Sequence, residues 1–185
     1  MQRQFSRRLK KRTDYKQRLA LLKSGEHRVV VRKSLNNIHI QIISYDTKGD
    51  RTVLENTSNN LKKLGWKAHC GSIPAAYLVG YQTGKKILSS GIKKVIPDIG
   101  LQTTSKENSL YAVFKGLKDS GVDISIGDSV PTDEKIKGKH IADYAKKLKS
   151  LSKERYEKQF SSYIKNNLDP ENLEKHFDEI KSKIK

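Results

Sequence analysis

The feature that most restricts the fold is a set of three short β-patterned segments joined by polar turns. Val29, Val30 and Val31 lie between Arg28 and Arg32-Lys33, a β-branched run that predicts a strand. The polar turn Ser34-Leu35-Asn36-Asn37 leads into Ile38-His39-Ile40-Gln41-Ile42, where the three isoleucines recur at period two and mark one buried face. A second turn, Asp46-Thr47-Lys48-Gly49-Asp50, leads into Thr52-Val53-Leu54. Together these segments predict a three-stranded antiparallel meander.

Downstream, helix and strand signals alternate. A short helix is expected near 58–64, ended by Gly65, and a longer one from Ser72 as N-cap to about Ser89, with Pro74 in its first turn. Its ridge Ala76, Gly80, Gly84, Leu88 is expected to lie close on the sheet. Each helical glycine costs about 1 kcal/mol against alanine, which close packing can offset. Lys94–Ile99 reads as a strand, with Pro97 at an edge or bulge because it cannot donate to a ladder. Asn108–Ser120 reads as a helix, and 122–126 as a short strand or extended loop. A helix near 138–149 follows, the pattern weakens over 150–165, and Asp169-Pro170 opens a last helix carrying Leu173, Phe177 and Ile180. That polar tail reads as an appendage that docks on something else. The fold class is α/β, a mixed β-sheet with packed helices. The expected parts are a basic arm with a short helix (1–24), an α/β core (25–148) and a helical C-terminal extension (149–185).

Charge sets the function classes. The net charge is +18, and residues 1–33 hold twelve Lys/Arg against Asp14 and Glu26 alone. The rest of the chain is only mildly basic, so the positive field sits at one end and points to a polyanion such as RNA. Residues 1–12 are nearly devoid of apolar side chains and are expected to order only against a partner. Thr13 or Asp14 can cap a short helix through Tyr15, Leu19 and Leu22. Thr13 and the Ser34–Asn37 turn can contact phosphate and ribose, arginine binds phosphate in bidentate fashion, and Tyr15 can stack on an unpaired base. No run approaches eighteen apolar residues, and no apolar segment follows the N-terminal charges, so neither a membrane span nor a secretory signal is expected. A lone Cys70 cannot form an internal disulfide and fits a cytoplasmic protein.

Enzyme signatures are weak. Gly80 and Gly84 with Lys85-Lys86 are one residue short of a phosphate loop and fall inside a helix. His69-Cys70 has no partner at metal-ligand spacing. Asp98 reads as a turn-capping carboxylate, and Asp46, Asp50, Asp98 and Asp119 form no motif for metal-assisted hydrolysis. No catalytic residue, metal site or cofactor is expected.

Seven collinear motifs resemble one family: RTDYKQRLALL (12–22), RVVVRKSLNNIHIQIISYD (28–46), GWKAHC (65–70), PAAYLVGYQTGKK (74–86), DIGL (98–101), YAVFKGLKDSGV (111–122) and KIKGKHIADYA (135–145). The chain resembles the archaeal/eukaryotic branch of the universal ribosomal large-subunit protein number eighteen family, which binds 5S rRNA, and its length suits the archaeal form. The resemblance implies a ribonuclease-H-like topology without that enzyme's chemistry. It also implies assembly with 5S rRNA in the central protuberance, contacts to the large-subunit rRNA, and a second 5S-binding protein as neighbour. Carried over residue by residue, it places RNA contacts at Arg7, Arg8, Lys10, Lys11, Arg12, Thr13, Tyr15 and Arg18 of the arm. Further contacts fall on Arg28, Arg32, Lys33, Ser34, Asn36 and Asn37 of the strand and turn, and on Trp66, Lys67 and His69 of the following loop. Two other readings stay open, a general structured-RNA-binding or ribosome-assembly factor and, behind it, a metal-dependent nuclease on a ribonuclease-H-like scaffold.

Overall fold

A computed structural model describes residues 5–10, 12–103 and 105–184. The β-patterned segments form β1 (His27–Lys33), β2 (Ile38–Ser44) and β3 (Arg51–Thr57), paired antiparallel as a meander. A fourth strand, β4 (Val95–Asp98), pairs parallel to β1 and completes a mixed sheet of order β3-β2-β1-β4. Val29, Val31, Ile38, Ile40 and Ile42 share one face and are fully buried, as their alternation requires. Pro97 lies on the last strand of the order, where its missing N–H breaks no central ladder. Residues 122–126 form no strand; Asp123 makes one parallel bridge to Lys94 beside the start of β4.

Preceding the sheet, the arm forms a helical turn, α1 (Ser6–Leu9), and a two-turn helix, α2 (Tyr15–Leu22). Asp14 caps α2 by accepting the backbone N–H groups of Lys16 at 2.9 Å and Gln17 at 3.1 Å. The helix expected through Tyr15, Leu19 and Leu22 is thus present with Asp14 as its cap, while α1 is a helical turn within the stretch 1–12 that composition expects to order only against a partner.

The segment 58–64 is a 3-10 helix ended by left-handed Gly65. After it come α3 (Ile73–Ser89), capped by Ser72, and α4 (Ser109–Asp119), capped by Asn108. The small-residue ridge of α3 faces α4, which corrects the expected contact with the sheet. A Cβ on Gly80 would stand 2.3 Å from the Val113 carbonyl oxygen, and one on Gly116 of α4 would stand 2.3 Å from that of Tyr77. Glycine on both helices is what lets the two backbones meet.

The C-terminal third folds as α5 (Asp133–Lys137), α6 (Lys139–Leu151), α7 (Lys153–Gln159), α8 (Ser161–Lys165) and α9 (Leu173–Lys183). The weak pattern over 150–165 thus corresponds to two short helices, with Ser152 capping the first. Asn167 takes a left-handed φ of 51°, and Pro170 opens a 3-10 turn before α9. The tail docks on this chain's own core. Leu173, Phe177 and Ile180 are at most 1% exposed, Phe177 packs on Tyr77 at 5.7 Å, and Lys85 Nζ donates to the Ile184 carbonyl at 3.0 Å. Among the described residues, no helix is long and apolar enough to cross a membrane.

Candidate nucleic-acid interface

On the sheet face opposite the valine–isoleucine core, β1 presents Arg28, Val30 and Arg32. Two carboxylates, one in the β2–β3 turn and one at the end of β4, hold these arginines. Asp50, just before β3, accepts both Nη atoms of Arg18 at 2.7 and 2.8 Å and Nη2 of Arg28 at 2.7 Å. Asp98, closing β4, accepts Arg28 Nη1 at 3.0 Å, Arg32 Nη2 at 3.2 Å and the Gly100 N–H at 2.9 Å. Arg32 Nη1 also donates to the carbonyls of Val31 and Asp98. The chain Arg18–Asp50–Arg28–Asp98–Arg32 therefore ties α2, β1, β4 and the β2–β3 turn together. Three cations face two anions, so the network keeps a net positive charge.

Electrostatics follow the geometry. The hydrogen bond from Arg18 chiefly holds the Asp50 carboxyl below the usual carboxylate range; burial opposes this, and Arg28 adds to it. Between this network and the arm opens a cavity of about 510 Å³, lined by Arg7, Arg12, Thr13 and Tyr15 as well as the paired arginines. Arg7 Nε donates to Thr13 Oγ1 at 2.9 Å, and Tyr15 packs on Phe5 with ring centroids 4.8 Å apart. Arg7, Arg8, Lys10 and Arg12 are exposed. This is a basic groove with one aromatic ring in its wall.

The second cluster is the hairpin turn. Ser34 and Asn37 close it on themselves: Ser34 N–H and Oγ both donate to the Asn37 carbonyl, and Asn37 N–H donates back to Ser34 Oγ. Asn36 is left exposed, its Oδ1 3.5 Å from His69 Nε2. His69 Nδ1 accepts the Gly71 N–H at 3.1 Å, so the ring proton belongs on Nε2, facing Asn36. Burial, then the charge of Lys33, lowers the His69 pKa. Lys33 and Lys67 are both exposed. Leu101 lines the arm groove and also a cavity of about 760 Å³ beside Lys33, Ser34 and Leu35, so the two clusters share one continuous face.

Two of the expected contact residues sit differently. Trp66 is 3% exposed and stacks on His176 at 5.1 Å and 17°, so its indole belongs to the packing under α9. Arg28 is also 3% exposed, with both Nη atoms taken by carboxylates, so it braces the face from inside. Lys11 lies outside the described residues. The participation of Asp50 as a partner of Arg18 and Arg28 escapes sequence reading, because no local pattern links residues so far apart in the chain. Gln102 is a second such residue: its side chain pins β1 by accepting the Lys33 N–H and donating to the Val31 carbonyl. Among the described residues, no group of three or more His, Cys, Asp or Glu side chains could hold a metal ion.

The family can now be read from comparison. A protein-family model described as "Ribosomal large subunit proteins 60S L5, and 50S L18" matches residues 1–96. A relative named "Large ribosomal subunit protein uL18", from Methanococcus maripaludis, is 44% identical over 181 residues, spanning 97% of this chain and 93% of its own length. The chain belongs to this ribosomal protein family. As an L18-family protein it is a component of the large ribosomal subunit and works in translation in the cytoplasm. The segment matched by the family model contains the arm, the meander and the 66–72 loop, hence nearly all of the face described above; Asp98 falls two residues beyond it.

Proposed function

We propose that this L18-family protein binds 5S rRNA and helps attach it to the large-subunit rRNA in the central protuberance, beside the other 5S-binding protein. The observation that carries the reading is the continuous face formed by the arm groove and the hairpin turn. Exposed Arg7, Arg8, Lys10 and Arg12 stand beside an ion-pair network that fixes Arg18 and Arg32 on the sheet. Cations neutralise phosphates and release counterions, which supplies affinity. Ser34, Asn36, Asn37, Lys33, Lys67 and His69 set the register on a folded RNA, whose irregular loops and shape are what proteins can read. In this division the arm (1–24) grips, the core (25–148) presents the rigid face, and the helical extension (149–185) braces the 66–72 loop from behind.

Its action is binding without catalysis. Asp50 and Asp98, which share Arg28, are both consumed by arginines, which leaves little negative charge to attract a metal ion. A general structured-RNA or assembly factor would use the same cations with no preference among RNAs. Competition at one salt concentration separates the readings: labelled 5S rRNA is challenged with unlabelled 5S rRNA, tRNA and a length-matched hairpin. The 5S reading expects self-competition at least tenfold more effective than either other RNA, and equal competition by all three overturns it.

A further inference from the structure

We infer that the cavity between the 69–72 loop and helices α6–α8 receives one unstacked base of the RNA, an inference that rests on the RNA-binding reading above. The cavity measures about 420 Å³, within the ~300–1,000 Å³ typical of sites for small ring ligands. Its wall is aromatic. Tyr144 is 51% exposed, and its ring is backed by the buried ring of Phe160 at 6.3 Å. Phe160 in turn packs edge-on against buried Tyr163 at 5.6 Å. A tyrosine braced from behind with half its surface in water is a stacking platform, because every base offers a π-face.

The rim is polar and uncharged. His69 and His140 line it with the exposed amide of Gln159, and none of the described lining residues is a carboxylate. Burial is the main cause lowering both histidine pKa values, with Lys33 adding to it at His69 and Lys135 at His140. A neutral imidazole offers one donor and one acceptor. Those of His69 are engaged by the Gly71 N–H and Asn36 Oδ1, so the imidazole of His140 and the amide of Gln159 are the groups that can meet the edge of a base, which they suit better than a phosphate. His69 also joins the cavity to the proposed RNA face, since the same ring contacts Asn36 of the hairpin turn. An RNA strand crossing that turn has the cavity beside it. An apolar side chain of a neighbouring protein would cover the His140 imidazole and the Gln159 amide without offering them partners.

The test uses the full chain, 5S rRNA and a salt series, with Tyr144→Leu, Tyr144→Ala and Tyr144→Phe. Leucine keeps packing against Phe160 without a π-face. We expect the leucine and alanine variants to bind roughly 5- to 100-fold more weakly. The slope of affinity against salt should stay unchanged, because stacking releases no counterions. Phenylalanine should bind within about twofold of the unaltered protein. Unweakened binding by Tyr144→Leu, with the unaltered protein still preferring 5S rRNA over tRNA, overturns the base site and leaves the 5S reading standing. Loss of that preference in the unaltered protein overturns the 5S reading instead. The base site is then decided by photocrosslinking to 4-thiouridine-substituted RNA: a crosslink at Tyr144 supports it, and crosslinks confined to other segments overturn it.

Discussion

Asp98 shows what a single residue can reveal from sequence and what it cannot. Its role as a turn cap was legible from its position at a strand end, and its Oδ1 does accept the Gly100 N–H. Its role as the anion between Arg28 and Arg32 was not, because that pairing joins residues some seventy positions apart. Removing one partner of a buried pair costs about 3–5 kcal/mol when the other charge is stranded. Arg28 keeps Asp50, so Asp98→Asn should destabilise by less, about 2–3 kcal/mol, read from urea unfolding at neutral pH. Unchanged stability would contradict the bracing role. Asp50 gives a second prediction, through pH. Its folded-state pKa is depressed, chiefly by Arg18, so its stabilisation is complete above the ordinary carboxylate value of about 4 and is lost as pH falls through the depressed value. The stability gap between the unaltered protein and Asp50→Asn should therefore shrink on acidification from pH 6 to pH 3. A gap that is constant over this range would show that the carboxylate charge contributes nothing.

At the scale of elements, periodicity carried most of the fold. The valines and isoleucines of β1 and β2, the cap Ser72 and the cap Asp14 (with Thr13 as its alternative) were readable because their signals are local. The partner of the α3 ridge was not, since small residues announce a close approach without saying to what. The contact also depends on Gly116, which reads as an ordinary helix-interior glycine. Substituting alanine at Gly80 or Gly116 gains about 1 kcal/mol in helix propensity but drives Cβ into a neighbouring backbone, so we expect net destabilisation of about 1–2 kcal/mol or more. Gly84→Ala should be milder, because there the close atoms are Ser120 Oγ, which can rotate away, and Ser120 Cβ at 2.8 Å, which sits at the end of α4 where the chain can shift more readily than in a helix interior. Melting temperatures of the Gly80 and Gly116 variants equal to that of the unaltered protein would contradict helix-on-helix packing. The tail was misjudged for a related reason. Its apolar stripe is narrow, and its burial depends on Tyr77 and Trp66, which α3 and the loop before it supply. Phe177→Ala should cost about 3–5 kcal/mol, as a core truncation does, whereas an undocked appendage would tolerate it.

For the whole molecule, the charge distribution indicated a polyanion and the collinear motifs indicated a family, while the structure sorts the cations by availability. Arg28 faces inward, Arg18 and Arg32 are held in place by Asp50 and Asp98, and Arg7, Arg8, Lys10 and Arg12 are exposed with no carboxylate partner among the described residues. Composition cannot make that distinction, because it depends on which carboxylates the fold brings near. The central claim is that this face binds 5S rRNA, with the arm cations supplying affinity and the sheet and turn supplying recognition. The most direct test is the affinity for 5S rRNA and for tRNA from low to high salt, for the intact protein and for a variant with Arg7, Arg8 and Lys10 changed to glutamine. The account predicts that the variant binds both RNAs more weakly, with a salt slope lower by roughly two to three, about one for each lost phosphate contact, while the preference for 5S rRNA persists. An unchanged slope and unchanged affinity, or equal affinity of the intact protein for the two RNAs, would contradict it.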